Sequence, residues 1–204
     1  MSNYAVIAET GNAIVQLLRK ELVPDIISDS AGIGLASPAD RGDMVLCVHL
    51  YDVSESDTYR VSGMISDGTD RQKFPPIYLT LSYLITAFSA GDVKFRSGEE
   101  QRILGKVAQV LRDYPTLNLN TMEFGGGNEE DRIRIEIMKA DAEEKSKLWS
   151  FPNLAPKLSL FYRVGPVALE SARTEKVKRV QEIEFRQDIT AKPFAKLFRR
   201  KRQE

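Results

Sequence analysis

The sequence is poor in the side chains that most enzymes and metal sites use. Its 204 residues include one cysteine, Cys47, and one histidine, His49, two positions apart in an apolar run. If this run is a strand, same-face neighbours lie about 6 to 7 Å apart, too far for a thiolate–imidazole hydrogen bond. We therefore expect core or subunit-contact roles for both residues, and we predict no catalytic residue, no cofactor site and no metal site.

Net charge and long apolar segments are also lacking. The 29 basic and 29 acidic residues balance, so no global field attracts nucleic acid or an anionic membrane. A single cysteine excludes an intramolecular disulfide and fits folding in a reducing cytoplasm. Charged side chains interrupt the apolar ones throughout residues 1–22, which indicates neither a signal peptide nor a spanning helix there.

The residues that are present are typical of a globular chain, with 42% hydrophobic and 28% charged side chains. Apolar periodicity predicts helices at 3–22, 97–113 and 141–149, and strands at 44–53, 77–88, 132–137 and 157–169. Ser97 and Glu100 have the spacing of a capping box for the second helix, and Asp141 and Glu144 have it for the third. This order predicts an α/β fold: a single layered domain, residues 1–170, with a mixed β-sheet flanked by helices.

Residues 171–204 are expected to form an extended C-terminal arm. From residue 170 onward eleven Lys and Arg stand against six Asp and Glu, so the arm is basic. Around 183–185 apolar and charged residues alternate as in a strand without a partner, which invites pairing with another chain. The basic end could be a solubilising tail, a protein-docking segment, or a contact for nucleic acid or lipid. The predicted partner-binding residues are Ile183, Phe185, Phe194, Phe198, Arg199 and Arg200.

Two turn-rich segments could become ordered on assembly. Residues 54–73 predict a long loop or loose hairpin, and Gly125-Gly126-Gly127 predicts a hairpin tip. No Lys-Ser/Thr follows the glycines and the next residues are acidic, so the tip is not predicted to bind phosphate. Loops can reach a neighbouring subunit, so both segments are candidate contacts.

Several ordered stretches over about residues 3–169 form one recognisable pattern. They are the N-terminal helix (NYAVIAETGNAIVQLLRKEL), Leu50-Tyr51-Asp52, Pro75-Pro76-Ile77-Tyr78-Leu79, Ser82-Tyr83-Leu84-Ile85-Thr86-Ala87, Leu104-Gly105-Lys106-Val107, Lys147-Leu148-Trp149, Leu158-Ser159-Leu160 and Tyr162-Arg163-Val164. Taken together, these stretches resemble the cap, or tail terminator, proteins of contractile injection particles of the Photorhabdus virulence cassette and antifeeding-prophage type. The basic tail after Ile189 lies outside this pattern.

The resemblance implies a structural, non-enzymatic protein. It would form a homohexameric ring on the last layer of inner tube and sheath, end polymerisation and bind no small-molecule substrate. It would be made and assembled in the bacterial cytoplasm, within a particle that is released by lysis. Two alternatives remain open: another tail-completion or neck component, or a nucleic-acid-binding adaptor that acts through the basic tail. The mildly acidic body does not favour nucleic acid or membrane as a partner.

Overall fold

A seven-stranded mixed sheet with two long helices on one face forms the body of the chain. The computed structural model describes residues 3–56, 63–68, 71–119, 123–124, 132–139, 141–149, 151 and 154–176. The helices are α1 (Val6–Leu22), α2 (Val93–Asp113) and α3 (Ala142–Leu148). The strands are β1 (Ile33–Leu35), β2 (Leu46–Glu55), β3 (Ile65–Ser66), β4 (Arg71–Lys73), β5 (Ile77–Ala87), β6 (Thr116–Asn118), β7 (Glu123–Phe124), β8 (Ile133–Ile137), β9 (Ser159–Leu169) and β10 (Thr174–Lys176).

The order of strands in the large sheet is β1-β2-β5-β9-β8-β6-β7. β1 runs parallel to β2, whereas β5, β9 and β8 pair antiparallel with their neighbours, so the sheet is mixed as the sequence predicts. The predicted pairing of the strands at 44–53 and 77–88 is confirmed in β2 and β5. A bulge between Leu50 and Asp52 turns the second half of β2.

Helix α1 covers one face of the sheet with the apolar stripe that its periodicity predicts. Ile14, Leu18 and Leu22 are at most 2% exposed and belong to the main core. The Arg19 guanidinium ties the helix to β1, because its Nε and Nη2 donate to the carbonyl oxygen of Ile33 at 3.0 and 2.6 Å. Packing and this hydrogen-bonded fork together fix the helix on the sheet edge.

Helix α2 begins earlier than the sequence predicts. Asp92, rather than Ser97, caps it, and its carboxylate accepts a hydrogen bond from the Lys94 amide at 3.0 Å. Ser97 lies inside the helix, where its hydroxyl accepts from Gln101 at 3.4 Å. The capping-box prediction was wrong because an upstream carboxylate satisfies the first amides equally well. The predicted stripe Ile103, Leu104, Val107, Val110 and Leu111 is buried.

The capping box predicted for α3 is confirmed. The Asp141 carboxylate accepts from the Glu144 amide at 2.8 Å, and the Glu144 carboxylate accepts from the Asp141 amide at 3.1 Å. This reciprocal pair satisfies two of the free amides at the helix start. It orients a helix of only seven residues that leads to the second apolar cluster described below.

Strands β3, β4 and β10 form a small second sheet outside the core. Of the two possibilities for residues 54–73, the described part shows a hairpin, with β3 antiparallel to β4. β10 joins its other edge, so residues 174–176 pair with β4 although they lie beyond the predicted domain end at 170. Lys73 forms an ion pair with Glu170 at 2.9 Å, and the Arg173 guanidinium lies 4.6 Å from the ring centre of Phe74.

Candidate assembly surfaces

The two faces of the large sheet are covered unequally. Leu81, Tyr83 and Ile85 of β5 point into the main core beneath α1 and α2. Ser82 and Leu84 alternate with them and therefore point to the other face. Among the described residues, four cover that second face at the end where β5 finishes. We call them the aromatic cover: Leu148, Trp149, Phe151 and Leu154.

The aromatic cover packs through edge-to-face ring contacts. Trp149 and Phe151 have ring centres 5.4 Å apart, and Phe151 meets His49 at 5.8 Å. Leu84 and Phe161 of the sheet are buried beneath the cover, and Tyr51 meets Phe161 at 6.4 Å. Such contacts add about 0.5 to 1.5 kcal/mol per pair to the area that is buried. The cover is therefore a small core of its own.

Cys47 and His49 lie on this second face, Cys47 fully buried and His49 half-buried. The burial of Cys47 raises the pKa of its thiol to about 11. Burial lowers the pKa of His49 below its ordinary value of 6.5. Both shifts favour the neutral forms, whereas a thiolate nucleophile needs a lowered cysteine pKa. Cys47 therefore lies in the core, and the core or subunit-contact role of His49 stays a prediction.

Beyond the aromatic cover the second face opens into a polar bay of about 730 Å³. It lies where β5 begins and β2 and β9 end, since Thr80, Ser54 and Pro166 line it. The name polar bay refers to these residues: Tyr51, Asp52, Ser54, Glu55, Ser56, Thr80, Ser82, Arg134, Glu136, Met138, Leu148, Arg163, Gly165 and Pro166.

Charges in the polar bay are arranged by strand. Asp52 and Glu55 stand on β2, whereas Arg134 and Arg163 stand on β8 and β9, and all four are exposed. Glu136 is directly opposite Arg163 in the strand register. Within the described part of the chain neither arginine forms a hydrogen bond or an ion pair with another residue. The β2 side of the bay is therefore acidic, whereas the side of β8 and β9 carries two arginines and one glutamate.

The first ten residues of α2, 93–102, form a second candidate assembly surface, which we call the α2 start. None of these ten side chains is fully buried, whereas burial begins with Ile103. Val93 is 76% exposed and Phe95 is 67% exposed. Exposed apolar side chains of this size on one projecting helix are typical of a contact surface.

The base of the α2 start is fixed to the sheet. Glu100 accepts hydrogen bonds from Lys157 Nζ and from the Ser89 amide. Arg41 and Lys157 lie 4.6 and 5.2 Å from the ring centre of Phe88, so two cations flank this buried ring. The α2 start thus adjoins an anchored base at the end of the sheet where β5 finishes.

The partner-binding residues predicted from sequence are not brought together in either surface. Ile183, Phe185, Phe194, Phe198, Arg199 and Arg200 lie outside the described residues, as does the tip at Gly125–Gly127. Among the described residues no group of three or more His, Cys, Asp or Glu is placed to hold a metal ion. In the same residues no helix is long and apolar enough to cross a membrane.

Sequence reasoning missed both the polar bay and the α2 start. Val93 and Phe95, just before a regular apolar stripe, were the available signal for the α2 start, but a helix predicted from Ser97 excludes them. The bay had no linear signal, because Asp52, Arg134 and Arg163 come from three separate strands.

Comparisons with known proteins found one matching family and similar solved structures. The family model of the Pvc16 N-terminal domain matches residues 9–182. The PVC sheath/tube terminator of an extracellular contractile injection system, solved in its extended state, aligns with a TM-score of 0.64 at 21% identity, covering 91% of this chain and 64% of that one. The anti-feeding prophage cap, a tube terminating cap, aligns with a TM-score of 0.59 at 19% identity, covering 87% and 60%. This chain therefore spans less than two thirds of either structure. No curated protein matches the sequence.

Proposed function

The chain belongs to the Pvc16 N-terminal domain family, and on this premise we propose that it is a structural cap that ends the inner tube and sheath of a contractile injection particle. It would act by occupying the last layer of the tube and sheath and presenting no surface for further addition. The proposal includes a closed homohexameric ring, contacts with tube and sheath proteins, and no catalytic activity.

One observation carries the proposal. The likeness to the sheath/tube terminator extends over 91% of this chain, so it involves nearly the whole body and not one common substructure. The tube terminating cap has the same fold over 87% of the chain. Since fold alone does not fix function, the family match over residues 9–182 supplies the second support.

The surfaces of the molecule suit such a role. A cap needs at least two kinds of contact, one between neighbouring subunits and one with the structure beneath. The polar bay and the α2 start are separate surfaces with different chemistry, and the small sheet offers two further strand edges. Each could serve one contact without interfering with the others.

Assembly is proposed to occur in the bacterial cytoplasm, with release of the finished particle by lysis. Fractionation before and after lysis tests this part. The chain should sediment with particles from the cytoplasmic fraction of intact cells. Detection of assembled particles outside intact cells, in the absence of lysis markers, would contradict it.

Negative-stain imaging of particles made with and without this chain tests the function. Without the chain we expect sheathed tubes of uncontrolled length or tubes lacking a closed end, and re-expression should restore uniform particles. Normal particles of normal length without the chain would reject the cap. A defect confined to attachment of another structure, with tube length unchanged, would indicate a completion or neck component.

A further inference from the structure

We propose that the α2 start of one copy docks into the polar bay of a second copy of this chain, so that identical head-to-tail contacts join the subunits. This inference rests on the proposed function, because it names the contact that would close the capping ring. It concerns the exposed side chains of Val93, Lys94 and Phe95 on one surface and the exposed charged side chains of the bay on the other, which form no ion pair among the described residues.

The positions of the two surfaces require a second copy. The α2 start follows the end of β5 and belongs to the helical layer on the core face. The polar bay lies at the beginning of β5 and on the opposite face, where Thr80 and Ser82 line it. Thr80 and Ala87 are seven residues apart. At the usual rise this is about 23 Å along the strand, with the thickness of the sheet in addition. A subunit cannot place its own α2 start in its own bay.

The size of the polar bay fits a helix end. Lining residues come from β2, β5, β9 and β8, which are consecutive in the sheet. Three strand spacings correspond to about 14 Å. A helix with its side chains is about 10 to 12 Å wide. The bay is therefore wide enough for the first turns of α2 but not for two helices.

The chemistry of the two surfaces is complementary. Val93 and Phe95 need an apolar wall, and Met138, Leu148 and Pro166 provide one in the bay. Between those two residues Lys94 is exposed, and its ammonium has no ion-pair partner among the described residues.

The acidic side of the bay can receive that ammonium. Asp52 and Glu55 are exposed carboxylates on β2, across the bay from the arginines. Pairing Lys94 with them would set the direction of the helix, whereas burial of the apolar residues would supply most of the affinity.

The two contacting surfaces differ, so the interface is heterologous. Such an interface joins each copy to the next with one free donor and one free acceptor surface, and it closes into a ring when the rotation is complete. A two-fold dimer would instead bury the same surface twice. This difference makes the arrangement testable with single and paired substitutions.

Cysteine cross-linking tests the contact directly. Glu55→Cys places a thiol in the polar bay, and Lys94→Cys places one on the α2 start. The natural Cys47 is 0% exposed, so we expect it to form no disulfide. Under mild oxidation, the double variant should give a ladder of covalent oligomers on a non-reducing gel, and each single variant should give monomer. Dimers from Lys94→Cys alone would show that two helix starts meet each other, which overturns the proposal.

The readouts separate this inference from the proposed function. If particles need the chain for correct length but the double variant gives no ladder, the proposed contact is wrong and the proposed cap function is retained. If the purified double variant gives a ladder but particles made without the chain are normal, the proposed contact is retained and the proposed cap function is wrong.

A surface variant gives an independent test. Phe95→Ser should raise the protein concentration at which oligomers form by about tenfold or more, because the ring would no longer be buried. Tyr4→Ser is the matched control, since Tyr4 is 83% exposed and lies outside both surfaces. It should change that concentration less than about twofold. Equal effects of the two substitutions would contradict the proposal.

Discussion

At Gly165 the backbone of the neighbouring strand lies too close to leave room for a side chain. A Cβ at Gly165 would lie 2.9 Å from the carbonyl oxygen of Leu79, an atom of the neighbouring strand that cannot rotate away. The register of β5 and β9 shifts at this point, between Leu79 and Leu81. The strands therefore touch where a side chain would hold them apart.

Gly165→Ala should destabilise the fold by about 1 to 3 kcal/mol, because the strands must separate to admit the methyl group. Chemical denaturation followed by tryptophan fluorescence measures it. Gly105→Ala is the control: nothing lies within 4 Å of its added Cβ, and the site is an exposed helix interior. That change should stabilise by about 0.5 to 1 kcal/mol. Equal stability of both variants would refute the steric explanation.

His49 should make stability fall in mild acid. Burial lowers its pKa in the folded state below the ordinary 6.5, so the unfolded chain binds the proton first as the pH drops. Stability is unaffected by this group above about pH 6.5 and decreases below it, until the folded-state pKa is passed. His49→Gln should flatten the decrease in denaturation midpoint between pH 7 and pH 5. An unchanged slope would mean that other groups cause it.

At the scale of elements, the second face of the sheet owes its cover to very few residues. Leu148, Trp149, Phe151 and Leu154 close one end, and the capping box of α3 sets the direction of this segment. The opposite face carries two helices of 17 and 21 residues. Among the described residues this asymmetry leaves room for the polar bay on the second face.

The C-terminal arm should be separable from the body. Deleting residues 177–204 leaves β10 and its pairing with β4 intact, and every core residue in the described part of the chain precedes the deletion. We expect an unfolding midpoint within about 2 °C of the full chain, and weaker attachment to particles in co-sedimentation.

Full attachment to particles after this deletion would show that the arm does not contribute to docking. Loss of nucleic-acid binding on deletion, with a steep salt dependence in the full chain, would favour the adaptor alternative. A large loss of stability would instead show that the arm belongs to the folded body.

For the whole molecule, stability and assembly should respond to different residues. Asp52→Lys reverses an exposed charge in the polar bay without disturbing the core. Its unfolding free energy should change by less than about 0.5 kcal/mol. Because the new ammonium would repel Lys94 of the incoming helix, docking should weaken. Particle co-sedimentation and imaging of particle ends measure this loss.

Asp113→Lys is the matched control, because Asp113 is an exposed aspartate at the C-terminal end of α2 and does not line the bay. It should leave co-sedimentation unchanged. Equal loss with both variants would mean that net charge, and not the bay, governs assembly.

The sequence by itself determined the main helices, the long strands and the fold class. Its apolar period distinguishes α1 from β5, and Asp141 and Glu144 stand at the spacing that caps α3. These features depend on neighbours three or four residues away, or on alternation along one strand, and such information is present in a linear pattern. The resemblance to terminator proteins was likewise readable, because it rests on ordered local stretches.

The tertiary structure alone decided which surfaces stay free. β1, β6 and β7 have two or three residues each, too few to show a period, and their pairing comes from the rest of the sheet. Asp52, Arg134 and Arg163 meet in the polar bay only because four strands lie side by side. Val93 and Phe95 remain exposed because no described part of the fold covers them. A local pattern reports what a segment can bury, but only the packed molecule fixes what remains uncovered.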